Sequence, residues 1–183
     1  MSARREHDPD PLTRASLTVA WVILANKPFY PLYVWWLVGS GVGASLATLV
    51  SVPFFLMIPL LAGRFPFGAR LLLPLIGTLD TVFESFVFGR ASATLSFLAP
   101  CMVLGIISFH PSEARWQRCL VGFIFICFVV AWHFVGTPIF PWDTGQLATL
   151  LNINVLAVGS LLTFIGWRYA GLRSCQDAGP PLP

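Results

Sequence analysis

Leu71-Leu72-Leu73-Pro74-Leu75-Ile76-Gly77-Thr78-Leu79-Asp80-Thr81-Val82-Phe83-Glu84-Ser85-Phe86-Val87-Phe88 decides how this chain is read. The run is apolar over nearly the roughly 20 residues that a membrane-crossing helix needs, yet it holds two carboxyl groups. Their i,i+4 spacing puts both on one helical face, Asp80 near the middle and Glu84 a turn further along. An acidic side chain at the centre of a bilayer costs at least about 2.5 kcal/mol on the lowest scales. The face carrying Asp80 and Glu84 must therefore point into a bundle, where it is paired or protonated.

The rest of the chain supplies that bundle. Of 183 residues, 56% are hydrophobic and 10% charged, against about one-quarter charged in ordinary soluble domains. The apolar residues come in long blocks with charges gathered between them, so the expected fold is all-α, a polytopic integral membrane helix bundle. Cutting at Gly, Pro and charge clusters gives six transmembrane helices: 16–38, 44–62, 71–88, 94–109, 119–135 and 147–167. Residues 1–15 read as a cytoplasmic tail, 16–168 as the membrane domain, and 169–183, with Gly179-Pro180-Pro181, as a short disordered tail.

Charge placement orients the bundle. With both termini on one side, Arg4, Arg5, Arg14, Arg64, Arg70, Arg115, Arg118, Arg168 and Arg173 fall on that side and Arg90 alone on the other. The positive-inside rule makes the crowded side, and both termini, cytoplasmic. A net charge of +3 without a basic stripe argues against nucleic acid as a partner. The partners expected are the lipid bilayer and either a cytoplasmic signalling protein or further copies of the chain.

The first segment is the irregular one, because Asn26-Lys27-Pro28-Phe29-Tyr30-Pro31 sets a charge and two prolines in its middle. A kinked helix is the preferred reading. In the alternative, residues 16–25 lie in the interface and Lys27 snorkels to it. In the kinked helix, Lys27 sits at the depth of Asp80, and the two are expected to form an ion pair.

Other polar features carry less. His133 falls at the far end of the fifth segment, where it either neighbours Glu84 or bonds water, and His110 lies at the opposite face, so the two cannot clamp one haem. No metal and no cofactor are expected. Gly39, Gly41, Gly43 and Ser45 have the small-residue spacing of close helix packing or a turn. Asn152, Asn154, Ser160 and Thr163 should hydrogen-bond between helices. The four cysteines lack a CxxC pair, and the chain has no HExxH, no GxSxG and no run of Asp residues for Mg²⁺, so catalysis finds no support.

The stretches Asn26-Lys27-Pro28-Phe29-Tyr30-Pro31-Leu32-Tyr33-Val34-Trp35-Trp36, Pro74-Leu75-Ile76-Gly77-Thr78-Leu79-Asp80-Thr81 and Phe97-Leu98-Ala99-Pro100-Cys101 resemble the six-helix membrane anchors of bacterial class III adenylate cyclases and some sensor histidine kinases. The resemblance covers most of residues 26–168. It implies a receptor-like bundle of the bacterial inner membrane that senses a membrane-borne or small apolar ligand and signals through its last helix. Only a short tail follows Tyr169, so output through a separate cytoplasmic partner is expected. Beside this non-enzymatic sensor stand two alternatives: a small proton- or cation-coupled transporter or channel using Asp80 and Glu84, and an accessory subunit of a membrane complex.

Overall fold

A computed structural model describes residues 10–177, with side chains through Leu172. All regular structure among the described residues is helical. Asp10 caps the first helix, α1 (Pro11–Asn26): its carboxylate accepts from the Thr13 amide at 3.1 Å and the Thr13 hydroxyl at 2.5 Å, and Pro11 sits where a missing N–H costs nothing. Pro28 and Pro31 then remove donors from the ladder. The chain answers with a tight 3₁₀ turn over Lys27–Phe29, a short α2 (Tyr30–Tyr33) and a wide π turn over Val34–Val38. The first segment is thus one helical path with a break at Lys27.

Gly39 and Gly41, at φ +77° and +71°, make the turn that reverses the chain. The ring of Trp142 lies so close over Gly41 that a Cβ there would come within 2.0 Å of it. The small-residue run therefore forms a turn, in which Gly43 has open space around it. Ser45 closes onto its own segment, donating to the Val42 carbonyl at 2.7 Å. The second segment follows as α3 (Val42–Ser45), a 3₁₀ stretch and α4 (Val52–Ala62).

The remaining helices are α5 (Pro66–Phe88), α6 (Leu98–Ile107, entered through a 3₁₀ turn at Thr94–Phe97), α7 (Ala114–Phe134) and α8 (Thr144–Asp177). Asp143 and Gln146 start α8 by reciprocal bonds to each other's backbone N–H, at 2.8 and 3.0 Å. Short connections make the segments run up and down. One end, the Arg70 end, gathers Asp10, Arg70, Ser108, Glu113 and Tyr169; the other, the Arg90 end, gathers Ser40, Arg90, Trp132, Gly136 and Gln146.

Among the described residues four helices are long and apolar enough to cross a membrane: Val42–Ala62, Pro66–Phe88, Pro111–Phe134 and Thr144–Leu172; Thr94–Ile107 is a shorter apolar helix. Their outward faces are apolar as well: Trp36, Leu60, Phe134, Leu156 and Trp167 are all more than two-thirds exposed. So much large apolar surface suits lipid, not water, and the chain is a helical membrane protein. Several boundaries differ from the sequence reading: α5 starts at Pro66 instead of Leu71 and α7 at Ala114 instead of Cys119, because Pro66 and the 3₁₀ turn at Pro111–Glu113 start these helices earlier. The first helix starts at Pro11 instead of Ser16, because Asp10 and Pro11 form a cap, and the last runs to Asp177 instead of Trp167, since no Pro or Gly-rich break occurs before Gly179. Residues 1–9 and 178–183, with Arg4 and Arg5 and the expected disordered tail end, lie outside the described residues.

Candidate functional site

The break in the first segment places Lys27 against the carboxyl face of α5. Its ammonium donates to Asp80 Oδ2, to Glu84 Oε1 at 2.7 Å and to the Thr48 carbonyl at 2.9 Å. All three side chains are at least 86% buried. The Thr48 carbonyl comes from the 3₁₀ stretch of the second segment, and the Phe55 ring of α4 lies 5.6 Å from the Lys27 nitrogen. One cation thus joins the first three segments. An ammonium is a compact point charge with three donors, and all three are used here.

Balance of charge is incomplete. One ammonium faces two carboxylates, so the cluster carries a formal charge of −1 when all three groups are ionised. Asp80 Oδ1 is buried without a hydrogen-bond partner. The two carboxyl groups are held together by the one ammonium they share. In surroundings this apolar an uncompensated charge is costly, and one further positive charge, a proton or a small cation, would neutralise it.

Towards the Arg90 end the cluster continues as polar side chains. Tyr30, one turn beyond Lys27, packs its ring edge-on against Phe88, one turn beyond Glu84 on α5, at 5.7 Å and donates to Asn154 Oδ1 of α8 at 3.1 Å. Asn154, 1% exposed, donates in turn to the Ser92 carbonyl at 2.8 Å and the Thr94 hydroxyl at 3.3 Å. Towards the Arg70 end the layer is apolar, formed by Val19, Ala20, Leu24, Phe55, Ile58, Leu73, Leu104 and Ile165.

Beyond that layer lies a second ionic cluster. Arg70 is 3% exposed, with one guanidinium nitrogen 3.1 Å from Asp10 Oδ1 and another 2.5 Å from Glu113 Oε1. The Glu113 carboxylate also accepts from the His110 amide at 2.9 Å, and His110 Nε2 is 3.5 Å from Asp10. Burial raises the Asp10 carboxyl, but the two Thr13 hydrogen bonds and the nearby Arg70 and His110 outweigh it and hold the group below the ordinary aspartate value. Beside this cluster the Tyr169 hydroxyl of α8 bonds Ser16 of α1 at 2.8 Å and Ser108 at 2.9 Å.

Of the residues singled out from sequence, the fold brings Lys27, Asp80 and Glu84 together and leaves His133 apart. His133 is exposed at the end of α7, with its ring edge-on to Phe134 at 5.0 Å. Asn154 bonds between segments as expected; Thr163 bonds back to Gly159 within its own helix at 2.9 Å, and Asn152 and Ser160 are exposed. Sequence reading missed Arg70, which it took as one flanking charge among many, and missed Tyr30. The period that places Lys27 and Tyr30 three apart on one face could have found the tyrosine. Compared with family models, with curated proteins and with solved structures, the chain finds no match.

Proposed function

We propose that this chain is a six-span membrane sensor whose Lys27–Asp80–Glu84 cluster takes up a positive charge and passes the change to a cytoplasmic partner. The observation that carries this reading is the ammonium shared by two buried carboxylates, with Asp80 Oδ1 left unpartnered. Neutralising either carboxylate weakens its hold on Lys27. Lys27 sits at the break in the first segment, the place where a helix bends most readily. At the Arg70 end that same segment is bonded through Ser16 to Tyr169 of the last helix, so its movement reaches α8.

Six crossings and cytoplasmic termini are part of the proposal, supported by the up-and-down order of segments and by the arginine asymmetry. The bacterial inner membrane follows from the resemblance to cyclase and kinase anchors alone. The test has two readouts in proteoliposomes of the full chain. An infrared carboxyl band that titrates with pH in the wild type and is lost in Asp80→Asn and Glu84→Gln supports the site, and absence of proton or cation flux supports a sensor. Flux that vanishes with the carboxyl groups would make the chain a transporter instead. A chain with neither titration nor flux would return the cluster to a purely structural role.

A further inference from the structure

Buried polar side chains fall into two groups along this bundle, the second lying across an apolar layer from the first. Thr13, Ser16, Arg70 and Ser108, each at most 3% exposed, gather at the Arg70 end, and Thr78 donates to the Pro74 carbonyl of its own helix at 2.7 Å. Ser45, Thr48, Thr81, Ser85, Ser92, Thr94 and Asn154, each at most 4% exposed, lie at the Lys27 cluster or between it and the Arg90 end. The layer on the other side of the cluster is the apolar one already described, with Phe55, Ile58 and Leu73 at most 1% exposed. Water and protons follow hydrogen-bonding groups and avoid packed hydrocarbon.

Resting on the sensor reading above, we infer that the ligand of the cluster is a proton and that it arrives from the Arg90 end alone. The route is Ser92 and Thr94, then Tyr30, then Glu84. The Ser92 and Thr94 hydroxyls, 2.7 Å apart, each accept and donate and so can hand a proton on. The Asn154 amide donates to the Ser92 carbonyl and the Thr94 hydroxyl and accepts from the Tyr30 hydroxyl. It gathers these groups as a positioning residue and does not carry the proton, which water entering this polar side passes from Thr94 to Tyr30 and from Tyr30 to Glu84. The proton ends on the carboxyl pair, shared with Asp80 Oδ1, the buried oxygen with no donor. No bond other than the O–H is made, and the proton comes from water at the Arg90 end. The titratable side chains facing this site are Lys27 and Tyr30 from the first segment, Asp80 and Glu84 from α5, and Cys101 from α6.

Sided proteoliposomes decide the matter. Full-length chain is reconstituted with the Arg90 end outward, as shown by labelling an added cysteine near Arg90, and the external pH is stepped while the lumen is buffered. The carboxyl infrared band should rise with external acid in this orientation and should not respond in the reverse one. Tyr30→Phe, which keeps the ring packed on Phe88, and Thr94→Val should each slow the rise about tenfold, equivalent to a barrier raised by one factor of ten in rate, while leaving its final amplitude unchanged. A band that follows pH at the Arg70 end, or one that follows the Arg90 end at the same rate in both variants, would overturn the inferred route and leave the site's titration standing. A band that responds to sodium or potassium at constant pH would overturn the proton as ligand. If no band titrates even in permeabilised vesicles, the sensor reading itself fails.

Discussion

Two clusters in this bundle have the same formula, one cation between two carboxylates, and opposite surroundings. At the Arg70 end the carboxylates of Asp10 and Glu113 are 30% and 19% exposed, so water completes their solvation and salt screens them. The guanidinium fork reaches two acids from different places in the chain, the cap of α1 and the entrance to α7, which is what a planar, multi-donor cation does well. Around Lys27 both acids come from one face of α5, and the cluster sits between an apolar layer and a polar ladder. There an extra negative charge can be met only by a bound positive one. On the proposed function the Lys27 cluster is a site with two states, whereas the Arg70 cluster is a fastener.

The sharpest way to break this contrast is to remove each cation in turn. Lys27→Met should cost about 3–5 kcal/mol of unfolding free energy in detergent at neutral pH, as expected when one partner of a buried ionic group is lost. Adding Asp80→Asn and Glu84→Gln to it should recover most of that loss. Arg70→Met should cost less, about 1.5–3 kcal/mol, because its carboxylates can turn to water. Equal costs, or the reverse order, would show that the two environments are not as different as their burial suggests.

Smaller effects sharpen the picture of the fastener. Tyr169→Phe should cost about 0.5–1.5 kcal/mol and loosen the last helix from the first, read as faster hydrogen exchange near Ser16 and Ser108. Asp10 is held below its ordinary value of about 3.9, so it stabilises the fold above that pH, and its contribution disappears as pH falls through the lowered folded value. Asp10→Asn should accordingly flatten the acid limb of a stability–pH curve and change little near neutrality, beyond the loss of a cap. His133→Gln should move stability by no more than about 0.5 kcal/mol, since the ring is exposed and bonded to neither cluster.

How much of this was legible beforehand varies with the range of the interaction. Helical content, segment positions and the break at Lys27 follow from local rules: apolar run length, proline's missing donor, the 3.6-residue period. The Lys27–Asp80 pairing could be read because the two residues lie at one depth in the first and third segments. That Glu84 shares the same ammonium depended on how far Pro28 and Pro31 turn the helix, which the residues alone do not state. Arg70 was hidden for another reason: an arginine beside a membrane segment usually reaches for water, and its burial here depends on Asp10 and Glu113, 60 and 43 residues away. Gly39 to Ser45 had the spacing of a packing motif, and it was the positive φ of Gly39 and Gly41 together with the approach of Trp142 that made it a turn.

On the proposed function, charge uptake at Lys27, Asp80 and Glu84 moves the Arg70 end of the bundle. That movement is tested most directly by double electron–electron resonance in lipid nanodiscs, with spin labels on α1 near Arg14 and on α8 near Arg168, recorded across a pH series. In the wild type the distance distribution should shift between two populations with pH, and in Asp80→Asn it should stay in one. A distribution that ignores pH, or one that shifts equally in the variant, would contradict it.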